Sequence, residues 1–314
     1  MTRRTILVLG GLAIADLLVS LWIGQQAYHW MPPQASAESI LVDNLFSFMT
    51  TLGSFIFLGV MGTLLYAILF QRAAKYDASD GPPIEGNVKL EVVWTAIPIL
   101  LVIWIATFSY QTYDRMAILG SIEPRAMGMP TAEAAAFETT ALAQSPDTPS
   151  AAVPPPIHVY ARQWAWEFHY PDPDIRSTEL HLPVNQRARL MLSSEDVLHG
   201  FFIPAFRVKQ DVVPGREIGF EFTPIRAGRY RLRDSEYSGT YFAANQTNVV
   251  VESAADYQRW LTTAAAMPPF PAENVAYEEF NRATQNSTGP SWETVKPAPA
   301  PVVNYASAEE DPHE

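Results

Sequence analysis

The sequence predicts a membrane-anchored all-β protein with two or three transmembrane helices followed by a β-sandwich or barrel. Long apolar runs occupy residues 5–23, 45–70 and 92–113, and short runs rich in Val, Phe, Tyr and Trp fill residues 157–252. Apolar runs of about 20 residues match a hydrocarbon core roughly 30 Å thick. Short β-branched and aromatic runs between Pro, Gly and Asp residues are typical of sandwiches and barrels.

The first apolar run, within residues 1–37, fits either a transmembrane helix or a signal peptide. Arg3 and Arg4 precede it, and the small residues Ala35, Ser36 and Ala37 follow it, as in a secretory signal with a cleavage site. The long gap before these small residues, and Asp16 inside the run, fit a helix that packs on a partner. The sequence therefore slightly favours an uncleaved third span.

The second and third runs predict a transmembrane hairpin over residues 43–114. Arg72, Lys75 and Lys89 lie between them, whereas residues 24–44 contain no Lys or Arg. Because Lys and Arg accumulate in cytoplasmic loops, the hairpin loop and the N-terminus should face the cytoplasm. We expect the rest of the chain on the periplasmic side of a bacterial plasma membrane or on the lumenal side of a thylakoid membrane.

The composition limits the partners of the part outside the membrane. The net charge of −12 disfavours binding to nucleic acid, and the absence of cysteine means that no disulfide supports the fold.

Residues 115–156 are rich in Ala and Pro and predict a linker. Residues 157–252 should form the β-domain, with strands expected in the short runs at 157–170, 179–183, 187–193, 216–223, 229–233 and 240–251. Residues 253–314 should form a short helix at 254–265, a second helical segment at 276–283 and an irregular acidic tail. No phosphate loop, dinucleotide fingerprint or nucleophile elbow occurs, so the chain alone is not predicted to catalyse a reaction.

Four sequence stretches in order resemble one protein family. They are GPPIEGNVKLEVVWTAIP at 81–98, QWAWEFHYP at 163–171, DVLHGFFIP at 196–204 and DSEYSGTYFAAN at 234–245. Together they resemble subunit II of haem-copper terminal oxidases, with the first stretch closest to cyanobacterial versions. The resemblance implies a membrane hairpin followed by a cupredoxin-like β-domain.

In this family the last stretch carries a copper pair and reads Cys-x-Glu-x-Cys-x3-His-x2-Met. The corresponding positions here hold Asp234, Ser238, Phe242 and Asn245, and the further ligand position falls on His199. Soft thiolates hold and bridge such coppers, whereas Asp, Ser and Asn offer hard oxygens and Phe offers no ligand. We therefore expect vestigial copper positions and no metal in this chain. His199, Asp196 and Glu236 could still bind zinc adventitiously.

Trp164 and Trp166 have two interpretations. The resemblance places Trp164 where the electron of a cytochrome donor enters, but alternation around Ala165 predicts that both rings lie on one face of a strand in the core or an interface. The sequence favours packing. The family's aromatic residue at position 165 is missing, which weakens the interpretation as a docking surface.

Two carboxylates match family positions with a function in proton or metal binding. Glu91, at the cytoplasmic end of the last span, matches the acid at the entrance of a proton channel into subunit I; the alternative is a solvated acid favoured by the helix dipole. Glu236 matches a magnesium ligand at the boundary with subunit I, and a surface ion pair with an arginine is the alternative.

These observations predict a non-catalytic subunit II of a quinol-oxidising, proton-translocating oxidase, similar to the bo type and to the cyanobacterial alternative oxidases. Haems and copper should reside in subunit I, which would also bind quinol, and subunit III and the lipid bilayer are further expected partners. Alternatives are an oxidase in which a soluble donor reduces the haem directly and a scaffold module. A copper chaperone is disfavoured because the nine Met residues form no Met-x-x-Met ladder.

Overall fold

The computed structural model describes residues 2–72, 86–118, 155–285 and 295–306. Most of the predicted linker at 115–156 and the acidic tail lie outside the described residues, as do Lys75 and the first part of the stretch at 81–98. The chain divides into two compact units, which are Met1–Pro33 with Ile40–Met116, and Gln34–Ser39 with Ala117–Glu314.

Three long apolar helices form the first unit, which confirms the membrane anchor. They are α1 (Arg3–Gln26), α2 (Ala37–Phe70) and α3 (Val88–Met116). Each is long and apolar enough to cross a membrane. Whether the mature protein retains α1 stays a prediction.

Helix α1 packs closely against α2. The Ser47 hydroxyl of α2 donates a hydrogen bond to the Gly24 carbonyl of α1 at 2.8 Å. A Cβ atom at position 24 would overlap the Thr51 hydroxyl, so only glycine permits this approach. Helix α3 contacts α2 through the edge-on rings of Phe48 and Trp104, whose centroids are 5.1 Å apart.

The second unit is a β-sandwich, as predicted. Its strands are β1 (Ile157–Arg162), β2 (Ala165–Tyr170), β3 (Ile175–Ser177), β4 (Leu180–Pro183), β5 (Ala188–Ser194), β6 (His199–Ile203), β7 (Val208–Val212), β8 (Ile218–Phe222), β9 (Gly228–Asp234) and β10 (Gln246–Glu252). One sheet has the order β3-β2-β1-β5-β8 and the other β4-β10-β9-β6-β7. The β1–β5 and β4–β10 pairs are parallel and the other pairs are antiparallel.

The inward faces of both sheets form one aromatic core. The large side chains that it buries almost completely include Trp166, Phe168, Phe201, Phe206, Phe220 and Phe222. Each such ring contributes roughly 1.5–3 kcal/mol through removal of apolar surface from water. This core replaces the disulfides that the sequence cannot form.

Two helices and a small two-stranded sheet follow the sandwich. Helix α4 (Ala254–Ala265) is capped by Ser253, whose hydroxyl accepts the Asp256 N–H at 3.1 Å, and α5 (Val275–Gln285) contains the second predicted helical segment at 276–283. The small sheet consists of the antiparallel strands β11 (Phe270–Pro271) and β12 (Val302–Val303), which lie before and after α5 in the chain.

Residues 34–39 belong to the β-domain unit. Ser36 and Ser39 cap the start of α2 reciprocally, and the Ser36 hydroxyl also donates to the Phe206 carbonyl at 3.0 Å. Glu38 accepts the Thr223 N–H and pairs with Arg187 at 2.7 Å. The small residues that resemble a cleavage site are therefore integrated into the fold.

The sequence prediction was wrong in three details of the β-domain. It placed no strand at β6 or β7, and it started the last strand at residue 240, whereas β10 begins at Gln246. It also placed Trp164 in a strand beside Trp166. Trp164 instead lies in the two-residue turn between β1 and β2, because the hairpin pairs Arg162 with Ala165.

Candidate functional site

Two adjacent strands bring most of the predicted copper positions together. His199 begins β6 and Asp234 ends β9, and the two strands pair through Phe201 and Asp234. The Asp234 N–H donates to the Asn245 carbonyl at 3.0 Å, which draws the end of the loop back to β9. His199, Asp234, Ser238 and Asn245 are all buried.

A continuous hydrogen-bond network fills the space between these residues. The Nδ1 atom of His199 lies 2.7 Å from Asp234 Oδ2, and Nε2 lies 2.8 Å from Asp196 Oδ1. Because carboxylates only accept hydrogen bonds when ionised, an imidazole that binds one on each side has to donate from both nitrogens. The geometry therefore fits a histidine that carries a positive charge between two aspartates.

Asp234 is the centre of this network. Its carboxylate accepts hydrogen bonds from the Gly200 N–H at 2.7 Å, the Ser238 hydroxyl at 2.8 Å and the Asn245 amide at 3.1 Å, besides the bond from His199. The Glu236 N–H adds another at 3.1 Å. Five donors thus compensate the burial of one carboxylate.

The pKa values in the network follow from these bonds. Burial alone would lower the pKa of His199, but the hydrogen bonds to Asp196 and Asp234 outweigh it and raise this pKa above its ordinary value. Burial would likewise raise the pKa of both aspartates. The hydrogen bonds from His199 and from backbone N–H groups lower it instead. All three groups are therefore held in their charged forms.

Phe242 does not join the network. It lies in a single 3-10 turn at Phe242–Ala244, and its ring packs against Tyr237 with centroids 5.3 Å apart. This position therefore contributes an apolar contact at the rim of the site and no polar group.

The copper pair of the family does not fit these residues. The thiolate positions hold Asp234 and Ser238, which offer no sulfur to bridge two coppers, and the network engages both ring nitrogens of His199. The predicted zinc set is not assembled either, because Glu236 bonds to Lys209 at 2.8 Å. Across the described parts of the chain, no three His, Asp or Glu side chains are arranged to hold a metal ion.

Trp164 and Trp166 are both buried, and each binds the loop with the copper positions. The indole N–H of Trp164 donates to the Ser238 carbonyl at 3.0 Å, and that of Trp166 donates to the Asn245 carbonyl at 3.2 Å. The Gln163 side chain, which was not among the predicted site residues, also donates to the Ser238 carbonyl at 2.7 Å. The signal that could have identified Gln163 is the resemblance at 163–171, because Gln163 belongs to the same matched stretch as Trp164.

The two candidate carboxylates outside the network are partly or fully exposed. Glu236 pairs with Lys209, so a surface ion pair is present, with a lysine in place of the arginine considered above. Glu91 lies in the first turn of α3 and is exposed, and its carbonyl accepts the Thr95 hydroxyl at 2.8 Å. Its position at the start of the helix is as predicted.

A β-sandwich anchored by apolar helices, with former ligand positions clustered at the end of two adjacent strands, defines a membrane-bound protein of the cupredoxin class. Two family descriptions match the chain: "Cytochrome C oxidase subunit II, transmembrane domain" at residues 21–112 and "Cytochrome C oxidase subunit II, periplasmic domain" at residues 174–254.

Individual relatives agree with these matches. Cytochrome c oxidase subunit 2 of Thermostichus vulcanus is 34% identical over 279 residues, which cover 80% of this chain and 85% of the relative. The protein of the same name from Synechocystis is 35% identical, and the matched residues cover 84% of this chain and 83% of that protein. Quinol oxidase subunit 2 of Bacillus spizizenii is 26% identical, and the matched residues cover 73% of this chain and 63% of that protein. The chain belongs to the subunit II family of haem-copper terminal oxidases. It is a multi-pass membrane protein with a periplasmic-type domain and a partner of subunit I.

Proposed function

We propose that this chain is subunit II of a quinol-oxidising terminal oxidase. The observation that carries the proposal is the residue set at the copper positions, where Asp234 and Ser238 replace both thiolates and hydrogen-bond to each other at 2.8 Å. A chain without cysteine cannot bridge a copper pair with thiolates. Quinol dissolves in the bilayer and can reduce subunit I directly, so the complex needs no copper relay outside the membrane.

In this proposal the chain is a structural and proton-handling subunit. Oxygen reduction and quinol binding take place in subunit I, which holds the haems and copper, and subunit III completes the complex. The periplasmic-type domain retains the fold of an electron relay, with a charged hydrogen-bond network in place of the metal. A magnesium ion at Glu236 would have to displace Lys209 from this carboxylate, with its other ligands supplied by subunit I.

The electron donor can be identified on the purified complex. We expect oxygen consumption with a short-chain quinol and none above background with reduced soluble cytochrome c. Metal analysis of the separated subunit II should give no stoichiometric copper. Robust cytochrome oxidation without quinol turnover would contradict the proposal, and so would copper bound to the separated chain.

One alternative is supported by a specific finding. The relatives with 34% and 35% identity are named cytochrome c oxidase subunit 2, whereas the quinol oxidase relative is 26% identical. An oxidase in which a soluble donor reduces the haem of subunit I directly would fit those names and the absence of thiolates. The donor experiment separates the two functions. A pure scaffold would instead purify without any haem-bearing partner.

For Glu91 we propose the entrance of a proton channel into subunit I. The carboxylate is exposed in the first turn of α3, and it occupies the position that matches the family's acid at the channel entrance. We expect Glu91→Ala to slow turnover while the complex still assembles, and Lys89→Met, at a neighbouring exposed position, to leave turnover unchanged. Equal turnover in Glu91→Ala and wild type would refute this role.

We also propose that α1 remains in the mature chain as a third span. Gly24 packs against Thr51, and Ser36 caps α2 with Ser39, so cleavage at Ala37 would remove both contacts. Intact mass spectrometry of the purified subunit should therefore give a mass that includes residues 2–37. A mature N-terminus near residue 38 would exclude this arrangement.

A further inference from the structure

Helix α5 covers an aromatic surface beside the former copper loop. The ring of Phe280 contacts the indole of Trp164, with centroids 5.5 Å apart. Tyr241, from the loop itself, meets the same indole edge-on at 5.1 Å. With these contacts Trp164 is only 4% exposed.

The helix lies on this surface with one face. Ala276, Tyr277 and Phe280 are partly buried, whereas Val275 and Arg282 are exposed. This spacing is that of a single stripe along an amphipathic helix. The helix start is fixed, because the Asn274 side chain accepts the Tyr277 N–H at 3.0 Å.

Trp164 is anchored independently of α5. Its indole N–H bonds to the Ser238 carbonyl at 3.0 Å, and the backbone of Gly239, with φ of 107°, passes so close that a Cβ there would lie 3.1 Å from the indole ring. Without the helix the ring would therefore become accessible while its polar edge stayed fixed. A rigid aromatic side chain of this kind is what protein-binding surfaces use as an anchor.

We propose that α5 is an intramolecular cover that occupies the surface formed by Trp164 and Tyr241 and excludes a soluble electron-donor protein from it. This inference rests on the proposed function, because a complex that receives electrons from the bilayer has no use for a docking surface in water. A cover that leaves the surface free for a tenth of the time raises the apparent dissociation constant of a competing protein about tenfold.

The test changes the covering contact in the intact complex. Phe280→Glu places a charge against the Trp164 ring, and Phe280→Ala shortens the same contact without adding charge. Val275→Glu is the matched control, because Val275 is 69% exposed on the same helix. Hydroxyl-radical labelling of Trp164, measured by mass spectrometry, reports the accessibility of the surface. Binding of a reduced soluble monohaem cytochrome c reports its use by a protein.

We expect Phe280→Glu to increase Trp164 labelling and to tighten cytochrome binding about tenfold, Phe280→Ala to act in the same direction, and Val275→Glu to change neither. Unchanged labelling in both Phe280 variants would overturn the inference. Increased labelling with unchanged cytochrome binding would overturn it as well, and so would an equal effect of Val275→Glu. Quinol turnover, measured on the same preparations, shows that the variants assemble. Its absence from the wild-type complex would count against the proposed function and not against the cover.

Discussion

The β-sandwich buries two histidines beside pairs of carboxylates, and it holds them in different ways. His199 lies 2.7 and 2.8 Å from Asp234 and Asp196 and donates to both. His181 lies 3.5 Å from Glu179 and from Glu252, and within the described residues neither of its ring nitrogens makes a hydrogen bond. It stacks on Trp260 instead, with ring centroids 4.0 Å apart and planes 8° apart.

The difference shows that geometry decides what a buried histidine does. At His199 the donors and acceptors match, so charge and hydrogen bonding hold the end of the sandwich where a metal would bind in copper-bearing relatives. At His181 the flat shape of the ring matters more, because Trp260 covers one face and Tyr305 meets it edge-on at 5.3 Å. Removing a polar group should therefore lower the free energy of unfolding strongly at His199 and only slightly at His181.

The largest effect is expected from Asp234→Ala. This change leaves the buried His199 without one of its two partners and leaves the Gly200 N–H and the Ser238 hydroxyl without an acceptor. Breaking a buried, paired charge in this way costs about 3–5 kcal/mol. Chemical denaturation of the full-length chain in detergent, followed by tryptophan fluorescence, measures the loss. Asp211→Ala is the control, because its side chain is 52% exposed, and a loss of similar size there would contradict the central position of Asp234.

The pair His199→Phe and His181→Phe tests the comparison directly. Phenylalanine at 199 leaves two buried aspartates without their shared cation, so we expect destabilisation by about 3–5 kcal/mol. Phenylalanine at 181 keeps the stacking on Trp260, and Glu179 keeps its bonds from Asn248 at 2.7 Å and Arg229 at 3.3 Å. We expect His181→Phe to lower the unfolding free energy by less than about 1.5 kcal/mol, as for other exchanges that conserve the shape of a buried side chain. Equal losses of unfolding free energy would show that the two sites do not differ.

The sequence predicted the fold because its signals are local. Apolar length marks the spans, and the apolar spacing in 254–265 gave the bounds of α4 as the structure has them. Strand β7 was missed because Val208–Val212 contains three polar residues and has no strong β-propensity. The turn at Trp164 was missed because no Gly, Pro, Asn or Asp marks it.

The candidate site could be predicted only as a set of positions. The family resemblance identified His199, Asp234, Ser238 and Asn245, and ligand chemistry showed that they do not suit copper. Sequence reading could not show that Asp234 binds His199, because the two are 35 residues apart and the pairing of β6 with β9 brings them together. In the sequence, position 234 therefore shows only that a copper ligand is missing, whereas in the fold Asp234 serves as a hydrogen-bond acceptor.

The pH dependence of stability should carry a contribution from His199. Its pKa is raised above the ordinary 6.5 in the folded chain, so its stabilising effect is complete below about pH 6.5 and is lost as the pH rises through the raised value. The lowered pKa values of Asp196 and Asp234 act in the opposite direction, with stabilisation lost as the pH falls below about 3.8. The test is the unfolding free energy measured between about pH 5 and about pH 9, a range that brackets the ordinary pKa of histidine. Over this range it should decline less steeply for His199→Gln than for wild type. Parallel curves would mean that His199 does not titrate with folding.

The smallest effect is expected from Ser238→Ala, which removes one of the five donors to Asp234. The carboxylate keeps His199, the Asn245 amide and two backbone N–H groups, so the loss should be about 1 kcal/mol, the net contribution of a single hydrogen bond. Ser235→Ala is the matched control, because the Ser235 hydroxyl is buried and has no hydrogen-bond partner among the described residues. Its removal should change the unfolding free energy little or raise it. If Ser238→Ala cost as much as Asp234→Ala, the network would depend on every member equally, and the contrast with His181 would rest on cooperativity instead of on the pairing of one histidine with two aspartates.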